Sequence, residues 1–376
     1  MRDTRPGLHA DVVVAGAGIV GLSAARALAG AGARVVVVER GRPGSEASAA
    51  AAGWLAVQAE ADEGSPLLDV ALRGRARHLA LAAELATETG LSVALARHGT
   101  LELAFTDEEE RALERRLLWQ RASGLPAESW GPDELRQAEP SVSAGARRAL
   151  FFPEDGSVDN VLLTRALAAS AAARGAALLS DRAVTGLVVE NGRVAGVKTG
   201  SETLSAPVVI EAMGAWSAAL AGDPQPPPVE PVRGQILAFD APPGTLRRVV
   251  CTARGYVVPR RSGRLLAGST LERAGFVKEV TAEGLGAIRR IAAEIAPLLA
   301  DAPAADSWAG LRPGTPDGLP IVGPGALPGL FHATGLYRNG ILLGPLIGEA
   351  VARLARGLGP EIDLAAFSPA RFDRRG

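Results

Sequence analysis

Apolar positions along this chain follow two rhythms. Val12 to Ala15 form an uninterrupted apolar run, as does most of Arg34 to Val38, the pattern of short strands buried on both faces. Leu22 to Ala29 between them read as a helix, so the N-terminal region spells strand, helix, strand. The turn inside DVVVAGAGIVG (Asp11 to Gly21) sets Gly16, Gly18 and Gly21 at GxGxxG spacing. The first glycine permits the tight turn, the second lets a pyrophosphate approach the backbone, and the third lets the helix pack on the strand. The second strand ends in Glu39, about 20 residues beyond the glycines, where a carboxylate can accept hydrogen bonds from a ribose diol. An adenine dinucleotide is the predicted ligand, and the motif alone does not choose between NAD and FAD.

Further along, Ser65 and Pro66 open a long helix through Leu67, Leu68, Ala71, Leu79 and Leu85 that stops at Gly90. Val93 to Arg97 and Thr100 to Ala104 read as a hairpin around His98-Gly99. Thr106 with Glu109 is a capping box for an acidic helix, and Trp130-Gly131 begin a short irregular helical segment ending at Pro140. Asp159 or Asn160 caps a helix from Val161 to Arg174. Val184 to Val189 pair with Val194 to Thr199 around Asn191-Gly192, and Val208 to Ile210 form a buried strand running into Ala212, Gly214 and Trp216. The Pro-rich stretch Asp223 to Pro231 is a crossover, since it cannot enter a sheet interior. Beyond it Gln235 to Phe239, Tyr256 to Val258 and Leu265 to Gly268 read as antiparallel strands. Thr281 caps a helix running to Leu299, Leu330 to Ala333 form a strand, and a last helix follows Gly344-Pro345. The expected class is α/β: a Rossmann-like dinucleotide-binding domain from residues 1–90, 151–222 and 318–376, and an α+β domain with a mostly antiparallel sheet from 91–150 and 223–317.

Composition narrows the partners. The 376 residues are 47% hydrophobic, ample for real cores, and a net charge of -1 supplies no general attraction to nucleic acid or anionic lipid. The single cysteine, Cys251, excludes an internal disulfide and a Cys-rich metal site and fits a reducing cytoplasm. The histidines are scattered without an HExxH pattern, so no metal is expected. Arg2 and Arg5 precede an Ala-rich run that resembles a secretion signal. The glycine fingerprint lies inside that run, so it is read as mature protein. No stretch of about 18 residues is apolar and charge-free, so no membrane span is expected.

Four features carry candidate chemistry. The loop GRPGSEASAAAAG (Gly41 to Gly53) has side chains small enough to lie flat against a ligand, or else starts an Ala-rich helix. Arg312 sits among Ala309, Gly310, Leu311 and Pro313. A guanidinium buried there needs a partner, either a substrate carboxylate gripped by its planar fork or a structural acid such as Asp317. Tyr256 and Tyr337, the only tyrosines, are pocket walls or core residues. Arg338, with Asn339-Gly340, precedes the last helix, whose N-terminus would stabilise negative charge.

The segments AAAGWLAVQAEAD (Ala50 to Asp62), YVVPRRSGRLLAGST (Tyr256 to Thr270), WAGLRPGTPDGLPIVG (Trp308 to Gly323) and GLYRNGILLGP (Gly335 to Pro345) resemble the D-amino acid oxidase superfamily of FAD enzymes, and within it the bacterial glycine oxidases that serve thiazole synthesis. The resemblance implies non-covalent FAD. It would be contacted by Gly16, Gly18, Ile19, Val20 and Gly21, by Glu39 and Arg40, by Ala47 and Ser48, by Ala52, Gly53 and Trp54, by Val184 and Gly214, and by Leu336, Tyr337, Arg338, Asn339, Gly340, Ile341 and Leu342. Arg312 would take the substrate carboxylate, with Tyr256 assisting and Arg338 nearby. Trp54, Arg254 and Leu271 would line or border the substrate pocket, and depart from the family's residues there. The implied activity is oxidation of glycine or another small amino acid with O2 as acceptor and hydrogen peroxide as product. It would be carried out by a cytoplasmic homo-oligomer. A dehydrogenase passing electrons to a quinone or carrier, and a non-catalytic FAD-binding subunit, are the alternatives.

Overall fold

The two N-terminal apolar runs lie side by side as parallel strands, Val12–Ala15 and Val35–Val38, with every residue of both buried. In the computed structural model, which describes residues 9–200 and 202–373, they sit inside a six-stranded sheet. Its spatial order is Ile321–Pro324, Leu330–Thr334, Val208–Glu211, Val12–Ala15, Val35–Val38 and Ala177–Leu179. All neighbours are parallel except the first pair. Arg2 and Arg5 lie outside the described residues.

Helix Ile19–Gly30 follows the first strand, and the glycines between them act by close approach. Gly16 has φ +103°, and a Cβ there would meet the Ala212 carbonyl oxygen at 2.4 Å. At Gly21 a Cβ would meet the Gly16 carbonyl oxygen at 2.0 Å. The last helix, Gly340–Ala355, crosses the first closely because Gly344 and Gly348 present no side chain to it; a Cβ on Gly348 would lie 2.6 Å from the Val20 carbonyl oxygen. Both helices and the long helix Leu67–Thr89 contribute to one apolar core that includes Leu22, Leu28, Leu81, Leu85, Leu343 and Ile347. Each such buried side chain contributes about 1.5–3 kcal/mol.

The last helix begins at Gly340, not after Gly344-Pro345 as its proline signals. Pro345 lacks the N–H that would bond to the Ile341 carbonyl. His78 on the long helix supplies the donor instead, with Nε2 at 2.9 Å from that oxygen. Burial pushes the His78 pKa down to about 4 against the opposing pull of the Ile341 and Leu342 carbonyls, so the ring is neutral and Nε2 carries its hydrogen. A histidine 263 residues before Ile341 thus makes the proline tolerable.

The second sheet has eight strands in the order Ala304–Gly314, Glu230–Asp240, Arg264–Gly268, Gly255–Pro259, Val249–Thr252, Thr100–Ala104, Arg148–Phe152 and Glu128–Trp130. Its pairings are antiparallel except that of Thr100–Ala104 with Val249–Thr252. The expected hairpin around His98-Gly99 therefore does not form: Val93 to Arg97 contribute only a bridge from Ala96 to Ser157. Glu128–Trp130 is an edge strand ahead of helix Pro132–Ala138, rather than the start of an irregular helix. Ala304–Gly314 has no strand signal because it carries Gly310, Pro313 and Gly314; at the sheet edge Pro313 costs no ladder bond. The Asn191-Gly192 hairpin and the Thr106–Glu109 capping box form as expected. Among the described residues no helix is long and apolar enough to cross a membrane.

Candidate active site

A cavity of about 380 Å³ runs from the glycine turn of the six-stranded sheet to the edge strand of the eight-stranded one. At its first end, Gly18 is the N-cap of helix Ile19–Gly30 and offers no side chain, so the first-turn amides keep no cap except at Ile19, whose N–H donates to Ser48 Oγ at 3.0 Å. A Cβ on Gly18 would find only that hydroxyl, at 3.4 Å. Open space above free amides at a helix N-terminus is what a pyrophosphate requires. Glu39 is held by the Ala17 and Gly41 amides, which donate to its two carboxylate oxygens at 2.8 and 3.0 Å. Beside it the Arg40 guanidinium lies 3.3 Å from the centre of the Trp216 ring and pairs with Glu46.

The small-residue loop settles as both of its readings at once. Ala47–Ala50 is a single helical turn, and residues from Gly44 through Trp54 line the cavity. Gly310 lets the edge strand approach this turn, since a Cβ there would lie 2.4 Å from the Ala50 Cβ.

At the other end the edge strand brings in Arg312. Gly234 on the neighbouring strand makes room for it: a Cβ there would meet Nη1 at 1.9 Å. Arg312 Nη2 donates to Ser269 Oγ at 2.7 Å and Nη1 to the Thr270 carbonyl at 3.1 Å, and no carboxylate pairs with it among the described residues. Asp317, the structural partner considered from sequence, is taken by Arg371 at 2.7 Å. Burial pushes the Arg312 pKa below the usual guanidinium value, partly countered by Tyr256. Tyr256 lines the same end with its ring 5.3 Å from that of Trp54, whose Nε1 donates to Thr100 Oγ1 at 3.0 Å. Tyr337 adopts φ 45° and donates its N–H to the Pro313 carbonyl at 3.2 Å, tying the approach to the last helix onto the Arg312 strand.

The cavity gathers nearly every residue expected at it: Gly16, Gly18, Ile19, Val20, Glu39, Arg40, Ala47, Ser48, Ala52, Gly53, Trp54, Val184, Gly214, Tyr256, Arg312 and the run Leu336 to Leu342. Gly21 does not line it and serves the helix packing above. Arg254 is elsewhere, ion-paired with Glu109 at 3.0 Å and with Glu294. Leu271 is also outside, half exposed. Arg254 lies in the turn between strands Val249–Thr252 and Gly255–Pro259, and Leu271 lies beyond the end of Arg264–Gly268, so strand alternation fixes neither side chain toward the cavity.

Sequence reasoning missed Ser269, Met213 and above all Glu60, which lines the cavity and forms an ion pair with Arg338. Burial lowers the Arg338 pKa, but Glu60 more than offsets it and the net direction is up. Glu60 stands inside a motif that was read, yet nothing local distinguishes it, because its partner is 278 residues away.

The described residues from 11 to 354 match the family DAO, FAD dependent oxidoreductase. Glycine oxidase of Geobacillus kaustophilus (strain HTA426) is 38% identical over 366 residues, 96% of this chain and 97% of that protein. A crystal structure of glycine oxidase from Geobacillus kaustophilus aligns with a TM-score of 0.93 at 37% identity, covering 97% of this chain and 99% of that one. The bifunctional protein ThiO/ThiG of Nostoc sp. (strain PCC 7120) is 33% identical over 349 residues, 92% of this chain and 52% of that protein.

Proposed function

The chain belongs to the DAO family of FAD-dependent oxidoreductases, and we propose that within it this enzyme oxidises glycine or another small amino acid to the imine, which water hydrolyses to the 2-oxo acid and ammonia while O2 is reduced to hydrogen peroxide. The observation that carries this reading is Arg312: a guanidinium in the cavity, with Tyr256 beside it and no carboxylate paired with it among the described residues.

The residues fit the cofactor. Gly16, Gly18 and the first turn of helix Ile19–Gly30 would hold its pyrophosphate, Glu39 its ribose, and the loop Ala47 to Trp54 with Leu336 to Leu342 the rest. When bound, FAD supplies the two-electron acceptor for the substrate's α-carbon hydride and the route from those electrons to oxygen. Arg312 grips the substrate carboxylate through its fork, and the Tyr256 hydroxyl adds a hydrogen bond, which fixes the α-carbon by its neighbouring group. Trp54 and Tyr256 present apolar ring surface that excludes water from that carbon. No histidine lines the cavity among the described residues, and its acids are Glu39, Glu46 and Glu60, of which Glu60 is bound to Arg338. The substrate amine therefore enters neutral, its proton left to solvent, and no side chain acts as base.

We assign residues 1–90, 151–222 and 318–376 to FAD binding and 91–150 and 223–317 to the substrate. A cytoplasmic setting is supported by a single cysteine that is buried and unpaired. The likeness to the ThiO/ThiG protein supports a supply role in thiazole synthesis, and a homo-oligomer is part of the same reading. Peroxide release from glycine, sarcosine and D-alanine tests the activity. Failure of all three to bleach the flavin without oxygen refutes the substrate class, and bleaching with reoxidation only by a quinone analogue makes the enzyme a dehydrogenase.

A further inference from the structure

Three charged side chains share the substrate end of the cavity: Arg312, Arg338 and Glu60. The pairing among them is uneven. Glu60 forms its ion pair with Arg338, while Arg312 donates only to neutral oxygens of Ser269 and Thr270. One cation is therefore neutralised in place and one is left free.

The backbone leading into Glu60 is also fixed. The buried Asp155 carboxylate accepts the backbone N–H groups of Val57 and Gln58, each at 3.2 Å, and of Ala59 at 3.1 Å. The Gln58 amide donates to Gln120 Oε1 at 2.9 Å and Gln120 Nε2 returns a bond to the Gln58 carbonyl at 2.8 Å, while Arg116 donates to the Ala59 carbonyl. The loop that carries Glu60 is therefore fixed, and a carboxylate that left Arg338 would strand both charges in a half-buried site.

We propose that Glu60 determines charge specificity: by neutralising Arg338 it leaves Arg312 as the one free cation at that end among the described residues, so the pocket accepts amino acids with a single carboxylate and an uncharged side chain and rejects those with a second anionic group. The rejection is repulsive, because a second carboxylate near Arg338 meets Glu60 already in place. The substrates follow from the amino acid oxidase reading above; the charge selectivity does not depend on turnover.

The test uses the holoenzyme and two non-reacting probes that differ by one carboxylate, propionate and succinate, with dissociation constants read from the flavin absorbance change. D-Alanine and D-aspartate are the reacting counterparts. In Glu60→Gln, which keeps size and removes charge, the preference for succinate over propionate rises by about tenfold or more. In Glu60→Gln with Arg338→Gln it returns to within about twofold of wild type, because the unmasked charge is gone. An unchanged ratio in Glu60→Gln overturns the proposal, as does a gain that survives in the double variant. Should Glu60→Gln fail to retain FAD, Arg338→Gln alone decides: bare Glu60 must lower the succinate preference further, and a rise or no change overturns the proposal. Probe ratios that shift as expected while neither amino acid is oxidised sink the substrate reading and leave the charge selectivity standing.

Discussion

Replacing Arg312 with alanine removes the one free cation that the described residues place at the substrate end. The fork offers a carboxylate two charge-assisted hydrogen bonds, each contributing about 1.5–3 kcal/mol. Their loss amounts to roughly 3–6 kcal/mol of transition-state binding, or a fall in kcat/KM of roughly a hundredfold to ten-thousandfold. The structural cost is small by comparison, since the bonds surrendered, one to Ser269 Oγ and one to the Thr270 carbonyl, leave together with the buried, unpaired charge that makes them. The alanine variant is expected to fold, to stay yellow through gel filtration, and to fail in peroxide release from glycine. Arg312→Lys keeps a point charge without the fork and should lie between, roughly tenfold to a hundredfold below wild type. Turnover by Arg312→Ala within about threefold of wild type refutes the carboxylate assignment. Loss of FAD from that variant makes Arg312 a structural residue.

The glycines divide by what stands above them. Gly16→Ala meets the Ala212 carbonyl at 2.4 Å from a φ of +103° and should lower the melting temperature sharply, whereas Gly18→Ala, with only Ser48 Oγ at 3.4 Å, should melt near wild type while its FAD dissociation constant rises. His78, held at about 4 by burial against an ordinary histidine value of 6.5, takes up a proton more readily when unfolded, so its contribution to stability is lost as pH falls from 6.5 toward 4, by about 3 kcal/mol at most. Asp155, pushed up to about 6 by burial, titrates in the opposite sense, so the His78 effect is read as the difference between wild type and His78→Gln in melts across that window. A pH profile unchanged by His78→Gln would contradict the neutral, Nε2-protonated ring. Arg254→Ala should leave kcat/KM for glycine within about threefold and cost no more than about 1 kcal/mol of stability, since its pairs with Glu109 and Glu294 are surface pairs remote from the cavity. A large rise in KM would return Arg254 to the pocket.

Much of the site was legible because its recognition chemistry is local. A dinucleotide turn needs glycines at fixed spacing and an acid after the next strand, and both are written within thirty residues of one another. Arg312 stood out as a guanidinium among small and apolar neighbours. Arg254 and Leu271 misled because each is close in sequence to a cavity residue yet lies outside the strands, where the chain turns and side-chain direction no longer follows the alternation of the sheet. Glu60 was invisible for the opposite reason, since its meaning comes from Arg338.

The order of elements, the parallel buried strands and the dinucleotide turn follow from the sequence by itself, because periodicity, capping and glycine spacing act over a few residues. Partnership follows only from the tertiary structure. Which arginine Asp317 serves, why Pro345 can sit inside a helix with His78 beside it, that Pro313 lies on a sheet edge, and which of two arginines keeps a free charge are all decided by contacts between residues far apart in the chain. Electrostatic and hydrogen-bonding choices depend on distance in space, and a chain states distance only along itself.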